Sequence, residues 1–118
     1  MTTPPPAVPT LSLNDGTTIP ALGFGVYKLD DAAAETCVGE ALAAGYRLVD
    51  TAAFYGNEAG VGRAIAAAGI DRAELSITSK LWIDDLGRDA TLRACEASLS
   101  RLGLEYLDHF LIHWPLPH

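Results

Sequence analysis

Four side chains in this sequence could carry out proton chemistry: Asp50, Tyr55, Lys80 and His113. An ammonium group beside a phenol favours the phenolate, so Lys80 could activate Tyr55 while Asp50 pairs with Lys80. A phenol activated in this way can give its proton to a developing alkoxide, and an imidazole can hydrogen bond to the same oxygen. The set therefore predicts acid-catalysed reduction of a carbonyl group, with a cofactor supplying the hydride.

Each of these residues also has an ordinary structural explanation. An aspartate can cap a helix, a tyrosine can pack against a core, a lysine is usually a solvated surface charge, and a histidine beside tryptophan is often a packing residue. Their common position is harder to explain in this way, because charged residues rarely follow buried strands unless they are paired or used. No serine or cysteine is placed for acyl transfer. The spacing of His109, His113 and His118 is not that of a helical metal site, so no metal is predicted.

Four short apolar strands are predicted, each running into a polar or aromatic residue at its carboxyl end. The strands and their residues are 21–25 with Tyr27, 47–49 with Asp50, 75–79 with Lys80, and 106–112 with His113. Neighbouring parallel strands bring their carboxyl ends to one rim of a sheet, where α/β proteins hold their active sites. We therefore expect these residues to meet at that rim, together with Tyr55 from the loop after Asp50.

Helices are predicted between the strands, where apolar residues recur at steps of three and four. They cover about 32–44, 57–69 and 89–103, with Asp30 or Asp31, Asn57 and Asp89 as N-caps and Leu92, Cys95, Leu99 and Leu102 as the inner stripe of the third. This alternation predicts parallel βαβ units of an α/β fold. A β-hairpin is predicted at 10–20 around Asp15-Gly16, and the proline-rich residues 1–9 predict a disordered leader.

Two architectures begin with such units, a doubly wound sheet and a parallel (β/α)₈ TIM barrel. The doubly wound sheet is disfavoured, because Gly23 and Gly25 lack the third glycine of a dinucleotide-binding turn and Gly60 and Gly62 lie within a helix. A barrel needs about 200 residues or more. The 118 residues are therefore expected to hold about the first half of a barrel, in residues 10–118.

Composition narrows the choice of partner and location. The net charge of −7 argues against nucleic acid or an anionic membrane as a general partner. No apolar run approaches the roughly 20 residues of a membrane span, and the N-terminus lacks the pattern of a secretory signal. Cys37 and Cys95 fall on predicted helices and are expected to be buried, reduced thiols. A cytoplasmic location is expected.

Several segments resemble the aldo-keto reductase family. Residues 45–62, GYRLVDTAAFYGNEAGVG, resemble the first signature of the family, and TSKLW at 78–82 and HWP at 113–115 resemble its lysine and histidine segments. GFGVYK at 23–28 resembles its first strand and loop. The chain looks most similar to bacterial members that reduce small ketones and aldehydes, including diketogluconate reductases.

The resemblance implies a (β/α)₈ barrel that reduces aldehydes or ketones with NADPH, or NADH, as cofactor. It implies that Tyr55 is the general acid, that Lys80 and Asp50 tune it, and that His113 orients the substrate carbonyl. An apolar substrate pocket would be lined by Tyr27, Phe54, Trp82 and Trp114. Gly25 and Val26, with Asp50, would lie close to the nicotinamide and ribose.

Length is the main departure from the family pattern. Four further strands and helices, which hold most of the cofactor in the family, lie outside these residues, so the isolated chain is expected to have little or no activity. The chain could join a carboxyl-terminal half of the same barrel, or it could self-associate through its open edges. A non-catalytic cofactor-binding or regulatory module on the same scaffold is the alternative function, and the histidine at position 113 favours the enzyme.

Overall fold

The computed structural model describes residues 7–116. The predicted leader therefore lies mostly outside the described residues, as does His118. In the described residues, six strands and three α-helices form the fold, together with three short 3₁₀ turns. The strands are β1 Thr10–Ser12, β2 Thr18–Pro20, β3 Gly23–Gly25, β4 Leu48–Asp50, β5 Ser76–Leu81 and β6 His109–Ile112, and the helices are α1 Asp31–Ala44, α2 Glu58–Ala68 and α3 Arg88–Leu102.

The predicted hairpin at the beginning of the chain is confirmed. Strands β1 and β2 pair antiparallel, with Leu11 opposite Ile19. Asp15 closes the turn, because its carboxylate accepts hydrogen bonds from the backbone N–H of Thr17 at 2.9 Å and from its hydroxyl at 2.6 Å. Gly16 follows in the left-handed region, with φ +86°, which glycine adopts at little cost.

The remaining strands form one parallel sheet in the order β3-β4-β5-β6, as the alternation of strands and helices predicts. The carboxyl ends of all four strands lie at the same rim. The strand bounds differ from those predicted chiefly at β6, which begins at His109 rather than Tyr106. Residues 106–108 are instead bound to Arg72, whose guanidinium donates to the Tyr106 carbonyl and to the Asp108 carboxylate, both at 2.9 Å.

The three predicted helices are present, but only one of the predicted N-caps makes the side-chain hydrogen bond of a cap. Asp30 caps α1, since its carboxylate accepts a hydrogen bond from the N–H of Ala33 at 2.8 Å. Asn57 occupies the N-cap position of α2 but makes no side-chain cap, because its side-chain oxygen accepts from Thr51 and its amide nitrogen donates to the loop after β3. The cap predicted at Asp89 is wrong, because α3 already begins at Arg88 and Gly87 takes the cap position.

The apolar core lies between the helices and one face of the sheet. It is formed by Val26, Ala34, Val38, Leu42, Val49, Val61, Ala64, Ile65, Leu75, Ile77 and Leu102. The stripe predicted for α3 is only partly correct, because Leu102 is buried while Leu92 is 53% exposed and Ser98 is buried instead. Cys37 and Cys95 are free thiols on helices, as expected, but both are half-buried rather than buried.

Helix α2 packs against α3 at unusually close range, and Gly62 makes this possible. A methyl group added at Gly62 would lie 2.7 Å from the carbonyl carbon of Leu102 and 2.9 Å from its Cα. Such distances are well below van der Waals contact. The backbone of α2 is therefore fixed against the end of α3, and with it the loop that immediately precedes α2.

Candidate active site

The ammonium of Lys80 is the centre of a polar cluster at the rim of the sheet. It donates hydrogen bonds to the Asp50 carboxylate at 2.7 Å and to the Thr51 carbonyl at 3.0 Å. The Tyr55 hydroxyl lies 3.4 Å away, at the long end of hydrogen-bond distance. The Lys80 side chain is only 14% exposed but that of Asp50 is 39% exposed, so water screens this ion pair less than a fully exposed pair but does not leave it buried.

Strand register explains how Lys80 and Asp50 meet. Asp50 ends β4 and is paired with Thr78 of β5. Because side chains alternate between the two faces of a strand, Thr78 and Lys80 share the face on which Asp50 lies. Lys80 is two residues nearer the carboxyl end, so its long side chain extends over the rim. Tyr55 reaches the same point from the short 3₁₀ turn Ala53–Tyr55, which follows β4.

His113 follows β6 and stands edge-on to Tyr55. Their ring centroids are 5.6 Å apart, and the planes cross at 88°. The Nδ1 atom of His113 is buried and has no hydrogen-bond partner among the described residues. The four residues predicted to carry proton chemistry are thus brought together at one rim.

The aromatic residues predicted for a substrate pocket surround this cluster. An open cleft of ≈ 240 Å³ is lined by Tyr27, Phe54, Tyr55, His113 and Trp114. Trp82 lies one layer away, stacked on Phe54 with centroids 4.0 Å apart and tilted against Trp114 at 5.0 Å. The arrangement can hold a small, largely apolar molecule with one end next to the Tyr55 hydroxyl.

Gly25 and Val26 differ in what they offer to a cofactor. A methyl group added at Gly25 would meet nothing within 4 Å, so the end of β3 is open on this side. The Val26 side chain is fully buried in the core, so a contact with a cofactor would have to come from its backbone. The cofactor contacts proposed for both residues stay predictions.

Two buried polar residues, Thr51 and Asn57, support the site, and the sequence pattern does not predict this role for either of them. The Asn57 amide donates to the carbonyls of Val26 and Leu29, both at 3.0 Å, and its oxygen accepts from the Thr51 hydroxyl at 2.8 Å. These bonds tie the loop after β4 to the loop after β3. The signal that could have identified Asn57 is its place directly after the Tyr55 loop, but a helix cap explains the same position.

The imidazole of His113 is expected to be neutral at neutral pH. Burial lowers the pKa of His113 below its ordinary value, the positive charge of Lys80 lowers it further, and Asp50 opposes the shift. Nitrogen-15 NMR of the side chain at neutral pH should therefore show a neutral ring that becomes protonated only below the ordinary value of about 6.5.

The same chain in denaturant provides the control, because unfolded His113 should titrate at the ordinary value. As the pH falls through that value, the unfolded chain takes up a proton that the folded chain resists. The contribution of His113 to the free energy of unfolding is therefore complete above the ordinary pKa and is lost as the pH falls toward the folded pKa. A folded-state midpoint at or above the denatured one would contradict this expectation.

Comparison with known proteins decides the family. The model of the aldo/keto reductase family matches residues 21–118, which include the whole polar cluster and the aromatic cleft. The chain belongs to this family. An aldo-keto reductase of Mycolicibacterium paratuberculosis is 59% identical over 111 residues, which are 94% of this chain and 40% of that protein. The chain thus spans about 40% of the length of the curated aldo-keto reductases it matches.

Solved structures of aldo-keto reductases superpose closely on the chain. One from Brucella melitensis has a TM-score of 0.91 and 53% identity, covering 94% of this chain and 42% of its own. The Bombyx mori aldo-keto reductase in complex with NADP has a TM-score of 0.87 and 42% identity over 93% of this chain and 39% of its own. A putative 2,5-diketo-D-gluconic acid reductase B has a TM-score of 0.80 and 44% identity over 82% of this chain and 34% of its own.

These similarities confirm two expectations from the sequence. The resemblance to aldo-keto reductases, including a diketogluconate reductase, is correct. The fold is that of part of a (β/α)₈ barrel, with four consecutive parallel strands and their helices in place. In the part of the chain from residue 7 to 116, the helices are too short or too polar to cross a membrane.

Proposed function

We propose that this chain provides the proton-transfer machinery for the reduction of aldehydes or ketones to alcohols with NADPH. The observation that carries the proposal is the position of the Lys80 ammonium, 2.7 Å from Asp50 and 3.4 Å from the Tyr55 hydroxyl, at the mouth of an aromatic cleft. At this distance the ammonium can stabilise the negative charge left on the Tyr55 oxygen when Tyr55 gives its proton to the developing alkoxide of the substrate.

The other residues of the site have separate tasks in this proposal. Asp50 and the Thr51 carbonyl hold the ammonium of Lys80 in place. Neutral His113, with its proton on Nε2, donates a hydrogen bond to the carbonyl oxygen and orients it toward Tyr55. The aromatic walls exclude water from the apolar part of the substrate, which strengthens these polar interactions.

The residues present fit part of a nicotinamide cofactor. The open space at Gly25, where an added methyl group would meet nothing within 4 Å, leaves room for a flat ring beside the polar cluster. Gly25, the backbone of Val26 and Asp50 would hold the nicotinamide end of the cofactor. When bound, the cofactor supplies the hydride that the protein side chains lack. NADP in the solved Bombyx mori relative supports the choice of NADPH over NADH.

The test uses a complete barrel that includes this chain, hereafter the full-length protein. It measures consumption of NADPH in the presence of small aromatic and aliphatic aldehydes and ketones. We expect absorbance of NADPH to fall only when a carbonyl compound is present, with the alcohol identified by mass spectrometry. NADH in place of NADPH serves as the comparison for cofactor preference. Tight binding of NADPH without turnover of any carbonyl compound in the panel would instead favour the non-catalytic regulatory module.

A further inference from the structure

Glu58 is a buried carboxylate that the proposed chemistry does not use. It is the first residue of α2, lies three residues after Tyr55, and is only 2% exposed. One of its oxygens accepts a hydrogen bond from the Ser79 hydroxyl at 2.7 Å. The other accepts from the Arg101 guanidinium of α3 at 2.8 Å and pairs with a second nitrogen at 2.7 Å. Both oxygens are therefore satisfied within the fold.

Stability alone gives a poor account of this arrangement. Removing a carboxylate from water is costly, and a buried ion pair often stabilises a fold no more than apolar residues of similar size. Arg101 is 46% exposed, so the positive partner stays partly hydrated while the carboxylate is held rigidly. The hydrogen bond from Ser79 fixes both the distance and the orientation between Glu58 and β5, which a non-directional apolar contact would not do.

Ser79 connects Glu58 to the polar cluster through the backbone of β5. It is fully buried and directly precedes Lys80. Successive side chains of a strand point to opposite faces, so the Ser79 hydroxyl meets α2 while the Lys80 ammonium meets Asp50 and Tyr55. The Glu58–Ser79 hydrogen bond thus joins the end of the Tyr55 loop to the strand segment that carries Lys80.

We propose that Glu58, acting through Ser79, is a positioning residue that sets the distance between the Tyr55 hydroxyl and the Lys80 ammonium. The inference rests on the proposed function of Tyr55 as the general acid. The 3.4 Å between these two atoms leaves little room, since a slightly longer distance would end the hydrogen bond. Arg101 holds the Glu58 carboxylate in place through two nitrogens, and so fixes the oxygen that accepts from Ser79.

The experiment replaces Ser79 by alanine in the full-length protein, because this removes only one hydrogen bond and leaves the Glu58–Arg101 pair intact. We expect kcat to fall about tenfold with KM for the carbonyl compound unchanged, since a displacement of 1 Å can cost about 100-fold. We also expect the ring carbon bonded to the Tyr55 hydroxyl to change its carbon-13 chemical shift. Ser76→Ala is the matched control: Ser76 lies on the same strand, is 8% exposed and has no side-chain hydrogen bond among the described residues.

A second pair of variants tests the same link from its other end. Glu58→Gln keeps an oxygen that can accept from Ser79, so it should recover most of the kcat that Glu58→Ala loses. Wild-type kcat in Ser79→Ala, an unmoved Tyr55 resonance, or equal changes in Ser76→Ala would overturn the inference. If the wild-type protein reduces no carbonyl compound, the proposed function fails, and the Tyr55 resonance alone then decides whether Ser79 positions the hydroxyl.

Discussion

Replacement of Tyr55 by phenylalanine is expected to lower kcat for carbonyl reduction by about 10²- to 10⁴-fold, the usual contribution of a general acid. The substitution removes one oxygen and leaves the ring, which packs against Tyr27 at 5.1 Å and against His113. The shape of the cleft should therefore be kept, and KM should change little. Steady-state kinetics of the full-length protein with NADPH and an aldehyde measure both constants.

Tyr46→Phe is the matched control for this loss of a hydroxyl. Tyr46 is half-buried, and its ring stands edge-on to Phe24 at 5.8 Å, away from the polar cluster. It should retain wild-type kcat within about twofold, because Tyr46 precedes β4 and so lies at the opposite end of that strand from Asp50. Near-normal reduction by Tyr55→Phe would remove Tyr55 as the acid and leave the polar cluster without its proposed role.

Gly62→Ala is expected to destabilise the fold by about 3 kcal/mol, at the upper end of the usual cost of overpacking. The new methyl group would overlap the backbone of Leu102, and backbone cannot move aside as a flexible side chain can. Helix α2 would have to move away from α3, which would disturb the Glu58–Arg101 ion pair between them. Chemical denaturation followed by circular dichroism measures the change in free energy of unfolding.

Gly39→Ala makes the same chemical change where there is space for it. Gly39 lies within α1, and an added methyl group there would meet nothing within 4 Å. Because alanine favours a helix more than glycine does, this variant should be more stable by about 1 kcal/mol. If both variants changed stability in the same direction and by similar amounts, close packing at Gly62 would not be the cause.

The sequence predicts the polar cluster because its members share a simple local feature. Asp50, Lys80 and His113 each follow an apolar run, and parallel topology then determines that they meet. The supporting contacts are harder to predict, because their partners are far apart in the chain. Asn57 bonds to carbonyls 28 and 31 residues away, and Glu58 pairs with an arginine 43 residues away. The local sequence pattern predicts only that Asn57 and Glu58 begin a helix, and it gives no sign of these distant contacts.

The error in α3 has a different origin. The spacing of Leu92, Cys95, Leu99 and Leu102 is that of an apolar stripe, but the helix buries Ser98 beside Leu102 instead. Ser98 accepts a hydrogen bond from Arg101 at 3.3 Å, so the face turned to α2 is partly polar. A rule based on hydrophobic periodicity places the buried face by the large apolar residues and therefore cannot find a buried face of this kind.

The pairing of β4 with β5 has a consequence for folding errors. Asp50 lies opposite Thr78, so Lys80 shares its face. A slip of one residue between these strands would turn Lys80 toward the helices and Ser79 toward the cleft. The ammonium would then lose Asp50 and the Thr51 carbonyl, and the Ser79 hydroxyl would lose Glu58. Breaking several buried hydrogen bonds at once is strongly unfavourable. Misregistered sheets should therefore be eliminated by their own instability, so that the charge we propose for the reaction also enforces the correct alignment of the strands.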